Sequence, residues 1–207
     1  MTKMLEVRNL EKVYTRGRFD RTPTFRLSAN FTIENPGVVG MMGPNGSGKT
    51  TLFELITGSN SPTAGEVFVA GRNIHKIRTD QRDRLAIHYH QSYQVRHFRS
   101  FKPNMFMEPA HSKYPLLHLF DEPQFNTQDG YIGFMLDFFR KLRNEGRLVF
   151  LCVHPNERFH LEIVQEICES FLFVEKGTVT PFPDYSSLLK HEPAQNYLGD
   201  LLRERAA

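Results

Sequence analysis

Gly43-Pro44-Asn45-Gly46-Ser47-Gly48-Lys49-Thr50 satisfies the pattern G-x-x-x-x-G-K-[ST], and the reading of this stretch decides the rest of the chain. Before it, Val38-Val39-Gly40-Met41-Met42 is short and apolar, as a buried strand is. After it, Thr51-Leu52-Phe53-Glu54-Leu55-Ile56-Thr57 starts a helix that Gly58 ends. Glycines let backbone N–H groups curl around a phosphate with no Cβ in the way, and the N-terminus of the following helix adds partial positive charge. In such a loop Lys49 reaches the β- and γ-phosphates, and the Thr50 hydroxyl is placed to ligate Mg2+. A chance glycine-rich turn has no reason to sit between a strand and a helix with Lys-Thr in register. The expectation is a site for a nucleoside triphosphate.

A chain of 207 residues suits one domain, and its 40% apolar content is enough to fill a core. No run of apolar residues is long enough for a transmembrane helix, and Met1-Thr2-Lys3-Met4-Leu5-Glu6 leads into a strand pattern without a signal peptide. The expected compartment is the cytoplasm. Cys152 and Cys168 both sit among apolar neighbours, which predicts buried free thiols and not a disulfide or metal site. The net charge of +3 is mild. Basic clusters at Arg16, Arg18, Arg21 and Arg26, and again from Arg72 to Arg84, read as solvated faces, so nucleic acid is not the expected partner.

Outward from the loop, the first third reads as antiparallel strands. Leu5 to Leu10 and Arg26 to Ile33 alternate apolar and polar residues. Turns fall at Glu34-Asn35-Pro36-Gly37 and Ser61-Pro62-Thr63-Ala64-Gly65, and Glu66 to Ala70 is a further strand. Later the pattern changes to strand and helix in alternation. Leu116-Leu117-His118-Leu119-Phe120 is a buried strand, and Tyr131 to Asn144 is an amphipathic helix closed by Gly146. Arg147 to Val153 is a second buried strand ending at His154, followed by a helix from about Glu157 to Ser170 and a strand Phe171 to Val174. Strands buried on both faces and linked by helices imply a parallel sheet.

Hydrolysis of a nucleoside triphosphate needs Mg2+ held opposite the loop and a group that orients or deprotonates water. Asp121, at the end of strand 116–120, is placed as the metal ligand, and the adjacent Glu122 as general base. An acidic pair at a strand end is common, but here it stands downstream of a phosphate loop.

With these stretches in place, the chain resembles the nucleotide-binding domain of ATP-binding cassette (ABC) proteins from about residue 5 to residue 190. Leu5 to Tyr14 looks like the family's opening strand, and the resemblance makes Tyr14 the aromatic that stacks on adenine; a core or surface tyrosine is the rival reading. Ile87-His88-Tyr89-His90-Gln91 is similar to the stretch ending in the Q-loop glutamine, so Gln91 would touch Mg2+ or the attacking water, with Gln94 as the second choice. Asp121-Glu122-Pro123 resembles the extended Walker B motif, and Leu148 to His154 the switch-histidine strand, which would put His154 near the γ-phosphate. Phe173 to Val179 resembles the strand-turn-strand that closes these domains. The implied fold is α/β: a P-loop NTPase core with a mainly parallel sheet flanked by helices, plus an N-terminal antiparallel β-subdomain. The implied cofactors are ATP and Mg2+. ATP would be held by Tyr14 and by Gly43, Pro44, Asn45, Gly46, Ser47, Gly48, Lys49, Thr50 and Thr51; Mg2+ by Thr50, Gln91 and Asp121; and Glu122, His154 and Gln91 would act on the γ-phosphate.

The chain also departs from the family. The family's signature, resembling L-S-G-G-Q, lies in a helical subdomain between the Q-loop and Walker B, and here the interval from Gln91 to Asp121 contains no glycine. Without glycine, no backbone nest of that kind can face a partner's γ-phosphate. The single domain, 1–207, therefore reads as one whose helical subdomain is truncated between about residues 92 and 115. Phe98, Phe101, Met105, Phe106 and Met107 in this segment would cover the core left open or form an interface, with core cover preferred because an exposed cluster of that size is sticky. Gln124 to Asp129 resembles the D-loop with one residue more, and Asn126-x-x-Asp129 echoes a guanine-reading motif without its lysine. The first expectation is an ATP-binding, ATP-hydrolysing subunit of a transporter or related complex. A partner, either a membrane subunit or a second ATP-binding subunit, would complete the site, at the inner face of a membrane. The alternative is a catalytically weak nucleotide-sensing or assembly module. A P-loop kinase or GTPase is disfavoured by the histidine and the closing strands.

Overall fold

Apolar residues at successive positions of the central strands bury both faces of a sheet, and the layers on either side follow from that. A computed structural model describes residues 3–17, 22–89, 115–123 and 131–203. Gln91 and Gln94, most of the segment expected to replace the helical subdomain, and Gln124 to Asp129 lie outside the described residues.

Among the described residues, ten strands form one sheet in the order β5-β4-β1-β2-β10-β9-β3-β8-β7-β6. They are β1 Leu5–Thr15, β2 Pro23–Ile33, β3 Gly37–Met42, β4 Ala64–Val69, β5 Arg72–Asn73, β6 Ala86–Tyr89, β7 Leu117–Asp121, β8 Leu148–Cys152, β9 Ser170–Glu175 and β10 Thr178–Phe182. The neighbours from β9 through β3, β8 and β7 to β6 pair in parallel. The neighbours from β5 through β4 and β1 to β2 pair antiparallel. The two parts meet where β10 lies beside β2, through a parallel pairing at Thr178↔Ser28. The antiparallel part is thus continuous with the parallel core, not a separate sheet.

Period-two alternation sends Val39 and Met41 of β3, Phe150 and Cys152 of β8, and Leu172 and Val174 of β9 to one face. Val38 and Met42 of β3, Val149 and Leu151 of β8, and Phe171 and Phe173 of β9 go to the other. On the first face lies α1 (Lys49–Thr57), whose Leu52, Phe53, Leu55 and Ile56 are fully buried. A helix this short is not stable alone, and burial at about 1.5–3 kcal/mol per large apolar side chain holds it on the sheet. On the second face lie α3 (Tyr131–Asn144) and α4 (Arg158–Ile167). A short α2 spans Thr79–Arg82, and α5 Tyr185–Leu189, α6 Glu192–Leu198 and α7 Asp200–Arg203 follow the last strand. Among the described residues no helix is long and apolar enough to cross a membrane.

Some boundaries differ from the sequence reading. The alternation alone carries β1 to Leu10, because a bulge at Asn9, φ 43°, shifts the register between Val7 and Leu10; the strand runs on to Thr15, one residue past the Tyr14 end that the resemblance implied. Asparagine tolerates this left-handed backbone, and its N–H donates to Asn30 Oδ1 at 3.1 Å. Helix α4 starts after Glu157, which caps it from outside, and stops at Ile167 because Ser170 already pairs with Val39. Helices α5 to α7 have no counterpart in the motif reading. Both cysteines are buried free thiols, as their surroundings predicted, and burial pushes each thiol up.

Candidate functional site at the carboxyl ends of the parallel strands

Three neighbouring strands deliver the site. The phosphate loop leaves β3 at Gly43, β7 ends on Asp121, and β8 ends two residues before His154; Met41 and Asp121 both lie level with Cys152. Open parallel sheets bind ligands in the crevice at this end of the strands.

The loop's shape depends on two of its glycines. Gly43 has φ 148°, and a Cβ there would lie 2.0 Å from the Val174 carbonyl oxygen. Gly48, φ 110°, is the N-cap of α1, and a Cβ there would meet Leu27 and Phe25. From outside, the Ser47 carbonyl accepts the Gly177 N–H at 3.0 Å, and the Gly177 carbonyl accepts the Ser28 N–H at 2.7 Å. The turn between β9 and β10 therefore ties the loop to β2.

Inside the loop, Lys49 is almost fully buried, with Nζ donating to the carbonyls of Gly43 at 2.7 Å and Pro44 at 2.9 Å. The Ser47 hydroxyl is buried and has no hydrogen-bond partner among the described residues. A buried orphan hydroxyl inside a glycine cradle fits an acceptor such as a phosphate oxygen. The Thr50 hydroxyl donates to Asp121 Oδ2 at 2.8 Å, and His88 Nε2 is 3.5 Å from the same oxygen. Burial pushes the Asp121 carboxyl up, but hydrogen bonds from His88, Thr50 and Cys152 outweigh it and hold it below the ordinary aspartate value. Asp121 is an anion facing the first turn of α1.

These oxygens fit Mg2+. Among the described residues no cluster of three or more His, Cys, Asp and Glu side chains could hold a metal unaided. Mg2+ does not ask for one: it takes one or two protein oxygens and fills its octahedron with phosphate and water.

A cleft of about 370 Å3 runs along this surface, lined by Asn45, Gly46, Gly48, Lys49, Thr50 and Thr51 of the loop and by Asp121 and Glu122. Tyr14 and Phe25, whose ring centroids are 6.3 Å apart, line it too. Tyr14 is 37% exposed, and its hydroxyl accepts from Asn60 at 2.8 Å, so the ring is held in place yet open to solvent. The sequence-selected residues Tyr14, Asn45 to Thr51 (Ser47 apart) and Asp121-Glu122 are thus brought to one cleft. Glu122 adopts φ 49°, a left-handed backbone unusual for a glutamate, and its N–H donates to the Cys152 carbonyl at 3.0 Å.

His154 does not line the cleft. Its Nδ1 is 2.7 Å from the Tyr197 hydroxyl of α6. Sequence reasoning missed two residues here. His88 stands in the sequence reading only as part of the stretch that ends in Gln91, and its place beside Asp121 follows from the β6–β7 pairing. Tyr197 lies in no motif, and nothing in its local sequence points to His154.

The comparisons agree with this geometry. The ABC transporter family profile matches residues 27–137, more than half of the chain. Among curated proteins, the ABC transporter ATP-binding protein YxdL of Bacillus subtilis is 36% identical over 78 residues, covering 38% of this chain and 29% of that protein. The lipoprotein-releasing system ATP-binding protein LolD of Xanthomonas oryzae pv. oryzae is 36% identical over 84 residues, covering 41% of this chain and 34% of that protein. The chain thus spans about a third of the length of these relatives. A solved ATP-binding subunit of an ABC transporter superposes with a TM-score of 0.67 at 18% identity, over 99% of this chain and 100% of that one. A dimeric ATP-binding cassette bound to ADP and Pi superposes with a TM-score of 0.61 at 16% identity, over 85% and 96%. These two likenesses are to the fold. The profile match, which runs from β2 through the phosphate loop and Asp121 into α3, places the chain in the ABC transporter family.

Proposed function

We propose that this chain is an ATP-binding subunit of a transporter or related complex, that it binds and hydrolyses Mg-ATP, and that a partner completes its site. The observation that carries this reading is the Thr50–Asp121 hydrogen bond at 2.8 Å, which joins the end of the phosphate loop to a carboxylate held as an anion. Tyr14, in the lining of the cleft, stacks on the adenine. The backbone from Gly43 to Thr51 cradles the phosphates, and Lys49 exchanges its two carbonyl partners for phosphate oxygens. Thr50 and Asp121 hold Mg2+, with Gln91 as a further ligand. When bound, Mg2+ neutralises charge on the β- and γ-phosphate oxygens. Glu122 takes the proton of the attacking water, Gln91 helps to place that water, and His154 donates to the γ-phosphate.

The domain is a single unit whose helical subdomain is cut short. Its partner is a membrane subunit or a second ATP-binding subunit, and the chain works in the cytoplasm at the inner face of a membrane. The absence of glycine between Gln91 and Asp121 favours a second reading, a nucleotide-sensing module with little turnover. The test has two steps. Lys49→Ala, titrated with a fluorescent ATP analogue in Mg2+, should bind at least about a hundredfold more weakly than wild type, because two or more charge-assisted contacts are lost. Equal affinity sinks the ATP site. Glu122→Gln should then abolish phosphate release without weakening binding; turnover as slow in wild type as in that variant selects the sensing module.

A further inference from the structure

The switch-type histidine must present one particular nitrogen to the γ-phosphate, and a neutral imidazole carries its proton on either nitrogen. The structure holds a device that chooses. Helix α6 is anchored by buried Ala194 and Leu198, and the Tyr197 ring packs against Phe173 with centroids 5.8 Å apart. Its hydroxyl reaches His154 Nδ1 at 2.7 Å. Burial, followed by the neighbouring Cys152 and Glu122, pushes the phenol up, so the group stays protonated and has a proton to give to Nδ1.

We infer that Tyr197 is a positioning residue for His154: its hydroxyl donates to Nδ1, fixes the tautomer protonated on Nε2, and so turns Nε2–H into the donor for the γ-phosphate. This rests on the reading of the cleft as an ATP site. It also links the histidine after β8 to helix α6 through one oxygen atom. A distortion of α6 is then felt at the γ-phosphate before it is felt at the base.

The test uses the full chain with 15N-labelled histidine. Long-range 1H–15N correlation without nucleotide should show His154 as one tautomer, protonated on Nε2, in wild type and as a mixture of both in Tyr197→Phe. That variant keeps the ring against Phe173 and loses only the hydroxyl. Competition with a fluorescent nucleotide should show the preference for ATP over ADP falling about tenfold in Tyr197→Phe, the worth of one hydrogen bond to a charged group. In a His154→Ala background the same substitution should change nothing further, since the effect runs through the imidazole. A single Nε2–H tautomer persisting in Tyr197→Phe overturns the inference. So does equal weakening of ATP and ADP, or full additivity with His154→Ala, each of which marks Tyr197 as structural only. A wild-type chain that binds neither nucleotide refutes the ATP reading instead, and the tautomer measurement still decides whether Tyr197 positions His154.

Discussion

Gly177→Ala tests how the phosphate loop is held from behind. Gly177 sits at φ 78°, and an added Cβ would lie 1.8 Å from the Arg26 carbonyl oxygen, well inside the 3.0 Å that real Cβ atoms respect. That oxygen is backbone of β2, so the turn and the strand must part by more than an ångström. Parting them strains the Ser28 N–H bond to the Gly177 carbonyl and the Gly177 N–H bond to Ser47. Left-handed backbone costs alanine about 1–2 kcal/mol, and each net hydrogen bond is worth about 1 kcal/mol, so the expected loss is about 3–4 kcal/mol. Gly46→Ala is the internal control. Its φ of 73° is nearly the same, but an added Cβ would meet nothing within 4 Å, so only the conformational cost of about 1–2 kcal/mol applies. Urea unfolding followed by far-UV circular dichroism, with a common m value, compares the two. If Gly177→Ala loses no more than Gly46→Ala, the steric argument is wrong, and the loop is not tied through this turn.

Asp121→Asn should flatten the acid limb of stability. The carboxyl is depressed in the fold, so its contribution is fully present above the ordinary aspartate value of 3.8 and is lost as pH falls through the lower folded value. Urea unfolding on either side of that pH should show wild type falling more steeply than the variant; parallel curves refute the depressed carboxylate. Tyr14→Ala should weaken ATP about tenfold, the worth of one aromatic–base stack, and leave inorganic tripolyphosphate binding unchanged. An equal loss for both ligands would place Tyr14 with the loop and not with the base.

Sequence showed the parts of this site whose chemistry is local. Gly43, Gly48, Lys49 and Thr50 are fixed to one another by a single turn of backbone, so their spacing is their structure. The positions of Asp121-Glu122 and His154 at strand ends were legible because each follows a continuous apolar run, but that pattern did not tell that His154 lies outside the lining of the cleft. Residues whose role depends on pairing between distant segments were not. Tyr197 and His154 are 43 positions apart and meet only because α6 folds back over β9. His88 faces Asp121 through the β6–β7 register, which no local pattern encodes. The bulge at Asn9 interrupts the alternation by which a strand is read, so periodicity alone carried β1 only to Leu10 while the family resemblance carried it to Tyr14.

The backbone of Glu122 has a consequence for how this chain tolerates change. A glutamate at φ 49° stores strain of about 1–2 kcal/mol that glycine or asparagine would relieve. With Glu122 as the base proposed above, position 122 is one at which selection for a sturdier fold and selection for turnover point to different residues. Glu122→Gly should melt higher than wild type while losing the carboxylate, whereas Glu122→Gln retains the strain and isolates the chemistry. A population screened for thermal robustness alone would be expected to discard the glutamate first, and since the backbone bond to the Cys152 carbonyl is kept by either residue, retention of the glutamate under such a screen would refute the strain.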